Sequence, residues 1–387
     1  MTNPTLRFPG NFADWKARKL GEITCHIRNG AVYDASCKSG SCMMTRIETI
    51  SSGKINEAKV GYAEGIGEKY RLLFGDILYS HINSLSSLGK TAIYKNVPDK
   101  IYHGMNLLSI RADKNIVDPD FLFISLNLKK STDWALSHGK RAINQCSISA
   151  SDIAGMDVKL PSVVEQQKIA SFFTALDEKI QNTRKKLVLT LKMKRAFARG
   201  IFTRKVGFSS SSDWQDFTLG DVSSIIKTRK SSDFLLYVGT EDLIKDFGGL
   251  NKVKKENVSG IYFEKDDILI SNIRPYLKKL WMSDEEGIAS TDVIVYRSKN
   301  IEPSLLKHIL STDSFFEHVA QGYKGSKMPR GDKSQMATFA FQIPSDEKEQ
   351  KKIANFLNLI DKKITCLREQ EKALKKQKQA FMQQMFV

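Results

Sequence analysis

One segment of this chain occurs twice, and that repetition constrains the fold before any local motif does. LPSVVEQQKIASFFTALDEKI, starting at Leu160, returns as IPSDEKEQKKIANFLNLIDKKI, starting at Ile343, with one inserted residue. The order along the chain is therefore variable region, helix, variable region, helix. Repetition on this scale dictates a pseudo-symmetric architecture, and two equivalent halves suggest two equivalent binding events.

Beyond Asp177 and Asp361 the copies keep a constant offset of 184. It carries Leu176, Ile180, Thr183, Leu187, Thr190, Lys194, Phe197 and Ile201 onto Ile360, Ile364, Leu367, Glu371, Leu374, Lys378, Phe381 and Met385. Alternating steps of four and three are the a/d spacing of a coiled coil, so each copy is expected to be one long helix with a seam. Lys194, Lys378 and Glu371 interrupt that seam; polar groups there weaken a helix pair but fix its register and partner. Pro161 and Pro344 suit a helix entrance, with Ser162 and Ser345 as expected caps.

The regions between the helices repeat more faintly. Trp15, Leu20, Gly21, Glu22 and Ile23 match Trp214, Leu219, Gly220, Asp221 and Val222, and GDILYSHIN from Gly75 matches DDILISNIR from Asp266. Apolar runs bounded by Gly, Asp and Asn predict strands at Ile77 to Tyr79, Leu107 to Ile110, Ile268 to Ile270 and Val293 to Tyr296. Helical stretches follow at Pro119 to Leu128 and Pro303 to Leu310. The expectation is two mixed α/β (α+β) globular domains in tandem, with boundaries at 1–160 for the first domain, 161–205 for its helix, 206–343 for the second domain and 344–387 for the last helix.

A length of 387 residues with 41% hydrophobic content supplies cores for two such domains. No apolar run reaches membrane-span length and no signal peptide is legible, so a soluble cytoplasmic protein without membrane contact is expected. Five cysteines cannot all pair and form no C-x-x-C. Cys25, Cys37 and Cys42 with His26 are too irregularly spaced for a metal centre, and free thiols with no metal are expected.

The net charge of +17 is informative once divided: +6 over residues 1–160, +8 over 161–205, −1 over 206–344 and +4 over 345–387. A basic chain suggests a polyanion partner, yet the second domain is not basic as a whole and needs a local patch. KGSKMPRGDK supplies one, with Lys324, Lys327, Arg330 and Lys333 among glycines. The corresponding stretch of the first half, HGKRAINQ, offers Lys140, Arg141, Asn144 and Gln145. Arg and Lys suit guanine edges and phosphates, while Asn and Gln suit adenine. Either loop alone could equally be a solvated basic turn; its occurrence upstream of the long helix in both halves favours contact. A second candidate region follows the repeated D-I-L strand: Ser80, His81, Asn83 and Lys90 in the first half, Ser271, Asn272, Arg274, Tyr276, Lys278 and Lys279 in the second. One scaffold displaying different readout groups would give this pattern, and so would sequence drift.

With these features the chain strongly resembles the specificity (S) subunit of a type I restriction–modification system. The resemblance spans essentially the whole chain and rests on two P-S-x-x-E-Q-x-K-I-A-like motifs. These are Pro161, Ser162, Glu165, Gln166, Lys168, Ile169 and Ala170, then Pro344, Ser345, Glu349, Gln350, Lys352, Ile353 and Ala354. It implies a nonenzymatic subunit without cofactor that reads a two-part sequence in double-stranded DNA, one half per target recognition domain. It further implies an antiparallel pair of helices that spaces the domains, docking of two adenine-methylating subunits, and ATP-driven restriction and translocase subunits joining the complex. Phe172, Phe173, Phe356 and Leu357, which a lone helix pair would leave partly covered, are the expected docking residues.

The residues support the noncatalytic reading independently. No adenine-methylation motif, phosphate loop or H-E-x-x-H is present. Asp266 and Asp267 followed by Lys278 or Lys279 resemble a nuclease triad, but the first-half equivalents, Gly75 and Asp76, make a strand boundary the simpler account. A specificity subunit serving a fused methylase–nuclease polypeptide is the alternative within this class.

Overall fold

The computed structural model describes residues 3–10, 13–50, 53–95, 100–141, 145–207, 213–323, 325 and 328–386, the Arg141 side chain excepted. The chain divides into two units, Met1–Asn182 with Glu371–Val387, and Thr183–Gln370. Each unit therefore holds one globular region together with part of each long helix.

In the first unit the strands are β1 (Lys16–Lys19), β2 (Thr24–Asn29), β3 (Cys42–Met44), β4 (Gly61–Ala63), β5 (Ile77–Ser80), β6 (Ile82–Asn83), β7 (Thr91–Ile93), β8 (Ile101–Tyr102) and β9 (Leu107–Ala112). Helices α1 (Pro119–Leu126) and α2 (Lys129–His138) follow, then β10 (Lys140–Arg141), β11 (Cys146–Ser147), α3 (Ala150–Ala154), β12 (Asp157–Leu160) and α4 (Val163–Phe202). The central sheet has the order β2-β9-β5-β7, all antiparallel. The apolar run of β5 is buried on both faces. Ile77 and Tyr79 pack with Phe121 and Leu122 of α1, while Leu78 packs with Ile101 and Leu107 beside the small sheet β4-β3-β8. Asp118 caps α1, accepting from the amides of Asp120 and Phe121 at 3.0 Å, and Pro119 takes the first helical position.

The second unit repeats this plan with β13 (Trp214–Thr218), α5 (Leu219–Val222), β14 (Ser223–Ile225), β15 (Arg229–Val238), β16 (Leu243–Ile244), β17 (Gly249–Leu250), β18 (Val253–Phe263), β19 (Ile268–Ser271), β20 (Leu280–Met282), β21 (Gly287–Ala289) and β22 (Val293–Ser298). Then come α6 (Pro303–Leu310), α7 (Asp313–Gln321), α8 (Lys333–Ala337), β23 (Ala340–Pro344) and α9 (Glu347–Gln384). Its sheet, β14-β22-β19-β20, is again antiparallel, and again the middle residue of the apolar run, Leu269, faces a different cluster from Ile268 and Ile270. The repeated L-G element has a packing reason. A Cβ on Gly21 would meet the Cβ of Ala154 at 3.1 Å, and one on Gly220 would meet Ala337 O at 3.4 Å. Helices α2 and α7 were not legible in the sequence, and α1 ends two residues earlier than expected.

The long helices run antiparallel within each unit. In the first, Phe172 of α4 meets Phe381 of α9 at 5.1 Å between ring centroids, and Lys378 donates to Asp177 at 2.7 Å. In the second, Phe197 meets Phe356 at 5.2 Å, and Lys194 lies 2.5 Å from Asp361. Every residue of the expected seam is buried or half-buried. Its charged members are partnered across the pair, as Lys194 and Lys378 are, or, for Glu371, by Lys375 one turn on.

The caps correct one expectation. Ser162 caps α4, its Oγ accepting from Glu165 N at 3.4 Å, but α9 is capped by Asp346, which accepts from Lys348 N at 3.0 Å, and not by Ser345. Ser162 and Asp346 differ by 184, so the inserted residue lies ahead of the cap, where β23 has five residues and β12 four. Pro161 and Pro344 accordingly precede the caps and do not occupy the first helical turn. Inside the helices the repeated glutamine is a clamp. Gln166 accepts from Asp118 N at 2.8 Å and donates to Ile116 O and Pro161 O, and Gln350 accepts from Glu302 N at 3.3 Å and donates to Pro344 O. Both are buried, so their hydrogen bonds tie α1 and α6 to the entrances of α4 and α9. Glu165, also buried, receives a two-pronged pair from Arg7 at 2.9 and 2.7 Å.

Candidate nucleic-acid interface

The two sequence-separated candidate regions of each half meet on one short ladder. In the first unit β6 pairs with β11, placing Asn83 opposite Cys146 and Ile82 opposite Ser147, and β10 pairs with the other edge of β11, placing Lys140 opposite Ser147. Ile148 N donates to His81 O at 2.9 Å and completes the run. In the second unit Ile273 bridges Arg330, Arg274 N donates to Pro329 O at 2.8 Å, and Gly331 N donates to Asn272 O at 3.3 Å. Ile82 and Ile273 thus hold the same place, as do Ser147 and Arg330. The capped helices that follow, α3 behind Ser149 and α8 behind Asp332, fix where both ladders end.

The surface of these ladders is polar and basic. Lys140 and Gln145 are exposed in the first unit, beside half-buried Asn83, whose Nδ2 donates to Ser80 Oγ at 3.1 Å. Lys90 is exposed and donates to Ser87 Oγ at 3.2 Å. In the second unit Arg274 and Lys333 are exposed, Tyr276 is 53% exposed, and Arg330 lies 3.0 Å from Asp292 while remaining largely open to solvent. Arg274 and Lys278 bracket the turn Pro275–Leu277, both with φ of 50°, a left-handed conformation that bends the segment sharply.

Several expected contacts take other roles. Ser80 is 1% exposed and His81 5%, so both lie beneath the surface and support the ladder; burial pushes the His81 ring down to about 4, and its Nδ1 has no partner among the described residues. Asn272, at the equivalent position, likewise has a buried Oδ1 without a partner. Lys278 is ion-paired with Asp313, whose carboxyl it holds below the usual range, and Lys279 donates to Thr240 O at 2.6 Å. Lys324, Lys327 and Asn144 lie outside the described residues; Arg141 is placed only as a β10 residue, opposite Cys146. The acidic pair offered as a nuclease site is structural. Asp267 is 1% exposed and bound at 2.8 Å by both arms of Arg297, as Asp76 is by Arg111 in the first unit. No metal-holding cluster occurs among the described residues.

The expected docking residues need correction too. Phe173 and Leu357 are fully buried within their own units, and Phe172 packs against Phe8, Phe173 and Phe381. These aromatic and aliphatic groups close the chain's own cores. Among the described residues, α4 and α9 leave Val164, Leu189 and Leu359 more than half exposed, and Val188 and Met193 of α4 are exposed to a lesser extent.

The family profile described as "Type I restriction modification DNA specificity domain" matches residues 13–190 and 211–376. A putative type I restriction enzyme MjaX specificity subunit of Methanocaldococcus jannaschii is 31% identical, with 95% of this chain and 92% of that one covered. The type I restriction enzyme HindI specificity subunit of Haemophilus influenzae is 25% identical over 44% of this chain and 36% of its own length. Among solved structures, the type I restriction-modification S subunit from M. genitalium superposes with a TM-score of 0.67 at 15% identity, covering 100% and 99% of the two chains. A chain described under complex assembly and conformational transition of the type I R-M system gives 0.52 at 17% identity, covering 97% and 98%. A profile matched once per half, on a fold whose two halves build the same ladder, leads to one conclusion: the chain belongs to the type I restriction modification DNA specificity family.

Proposed function

We propose that the chain is the noncatalytic DNA-reading subunit of a type I restriction–modification complex, each unit reading one half of a bipartite duplex target. The observation that carries this reading is the ladder built twice with different side chains at equivalent places. Ile82 and Ile273 keep its scaffold, while Asn83 and Arg274, and Ser147 and Arg330, change the chemistry presented at equivalent places. The relatives' names, type I specificity subunits, support assembly with methylase and restriction subunits, and a twofold repeat suits two copies of the methylase. Methyl donor and ATP would then be bound by those partners, in the cytoplasm where the DNA is. The exposed Val164, Leu189 and Leu359 on α4 and α9 are the better docking groups for the methylase subunits, and the helices set the spacing of the half-sites.

Methylation mapping of a host carrying the whole system tests this. Arg274→Ala with Arg330→Ala should relax the second half of the motif and spare the first; Lys140→Ala with Gln145→Ala should do the reverse. A base-reading pair is worth about 1–3 kcal/mol of discrimination. An unchanged motif in both double variants, or methylation by the purified chain alone, would sink the reading. Duplicating Ala175 to Glu178 adds about 6 Å of helix and should lengthen the spacer while keeping both halves.

A further inference from the structure

The second unit carries one element that the first does not match in size among the described residues. β15 pairs in parallel with β21 as β3 pairs with β8, but β15 has ten residues where β3 has three. It forms an antiparallel ribbon with the eleven residues of β18. Opposed residues in such a ribbon share a face, and faces alternate along each strand. One face holds buried Leu236, Val238, Val258 and Gly260, together with exposed Lys230, Phe234, Lys254 and Glu256. The other presents Arg229, Ser231 and Asp233 on β15 and Asn257 and Ser259 on β18, all exposed, and half-buried Lys255, whose Nζ lies 4.3 Å from the Tyr237 ring centroid.

Basic residues are concentrated here, in a globular region whose net charge over 206–344 is −1. Of the 18 basic residues between 206 and 344, seven lie on the ribbon strands or within two residues of them: Lys227, Arg229, Lys230, Lys252, Lys254, Lys255 and Lys265. Along the exposed face the order is cation, polar, polar, cation. Arg229 is at one end opposite Ile261, Ser231 stands opposite Ser259, Asp233 follows where the pairing lapses beside Asn257, whose φ of 50° is left-handed, and Lys255 stands opposite Leu235. Six residues of strand separate the two cations, about 20 Å. Among the described residues no hydrogen bond or ion pair engages the side chains of Arg229, Ser231, Asp233, Asn257 or Ser259.

We propose that this ribbon enters the major groove of duplex DNA and gives the second unit a readout element additional to its ladder. A major groove about 12 Å wide admits a two-stranded ribbon. A 20 Å reach then brings Arg229 and Lys255 to the backbones at either edge, leaving Ser231, Asp233, Asn257 and Ser259 over the bases. Asn suits adenine, a carboxylate accepts from the cytosine amino group, and serine serves either. The middle of this face has no apolar side chain, whereas the core of a protein interface is apolar, aromatic and poor in lysine. The inference rests on the reading that the second unit binds DNA.

The test uses the full chain assembled with its methylase subunits, on duplexes carrying the motif mapped for the wild-type complex and on single-base variants of it. Asp233→Ala with Asn257→Ala should lower discrimination about tenfold at one or two positions of the second half-site and leave the first half-site unchanged. Arg229→Ala with Lys255→Ala should weaken binding to every sequence, and the slope of log affinity against log salt should fall by about two. The substituted groups are at the surface, and thermal unfolding of each variant confirms a folded chain. Ribbon variants that bind and discriminate like wild type, while Arg274→Ala with Arg330→Ala loses the second half-site, overturn the ribbon and leave the DNA-reading role standing. If the ladder variant also keeps that half-site, both fall. Ribbon variants that lose the methylase subunits but not DNA assign the ribbon to a protein partner and overturn the proposal.

Discussion

Asp177 and Asp361 occupy the same place in the repeat, yet their surroundings differ. Among the described residues Asp177 pairs with Lys378 alone, and the two side chains are 42% and 28% exposed. Asp361 receives Lys194 and also Lys307 of α6, with His308 beside it, and is 25% exposed against 16% for Lys194. The positions on α1 that correspond to Lys307 and His308 are Phe123 and Ile124. A repeated pair is therefore a solvated register mark in one unit and the centre of a partly buried cation cluster in the other. Burial costs Asp361 solvation, but Lys307 and Lys194 outweigh it and hold the carboxyl down to about 2, while burial lowers the Lys194 ammonium. The lesson is that a seam position fixes who faces whom, and the neighbouring helix decides what that contact is worth.

The sharpest way to break this comparison is to remove both carboxylates in turn. Asp361→Ala leaves Lys194 and Lys307 facing each other with little solvent, and should destabilise the second unit by about 3 kcal/mol. Asp177→Ala removes a solvated pair and should cost no more than about 1 kcal/mol. Denaturant unfolding read separately for each unit by hydrogen exchange measures the two; equal losses would mean that the extra cations on α6 are irrelevant.

A smaller effect appears only in acid. His308 is buried, which together with Lys307 and Lys194 lowers its ring to about 3, and its Nε2 shares a 2.9 Å hydrogen bond with Asn358. A ring depressed from its unfolded value near 6.5 stabilises the fold fully above that pH and loses the contribution as pH falls toward 3. At pH 4.5 the loss is about 2–3 kcal/mol. His308→Ile, which installs the first-unit residue, should flatten the second unit's stability between pH 6.5 and 4.5. The first unit should remain acid-sensitive in that variant, since burial also lowers His26 and His81 to about 4. An unchanged acid profile of the second unit in the variant would refute this assignment.

The helix entrances give the smallest contrast. Ser162→Ala and Asp346→Ala should each cost about 1 kcal/mol, and Ser345→Ala almost nothing, because the cap follows the constant offset and not the repeated proline–serine pair. Thermal shifts of the three single variants rank them. A loss at Ser345 equal to that at Asp346 would restore the cap that the sequence suggested.

The sequence by itself determined the twofold plan, the long helices with their seam and the strands around Ile77 and Ile268, while the antiparallel pairing of the helices came from the family resemblance. The plan, helices and strands follow from periodic burial and from a repeat at fixed offset, which are local properties or comparisons along the chain. Short helices such as α2 and α7, of ten and nine residues, escaped because fewer than three turns give a periodic pattern too short to separate from the helix just before it. The fate of individual polar groups was decided only by tertiary structure. Ser80 and His81 looked like contact residues, but Ser80 ends an inner strand of its sheet and His81 follows it, its carbonyl bound by Ile148 N, so both are buried. Lys278 looked free until α7 placed Asp313 against it. Phe173 and Leu357 looked available because a helix considered alone has no far side, whereas each unit's core supplies one. The ribbon face of Arg229, Asp233, Asn257 and Lys255 joins residues more than 20 positions apart, and no local pattern records which strands will pair. Hydrophobic periodicity specifies elements, but the exposure and partners of a charge depend on every element packed around it, and only the assembled fold brings those together.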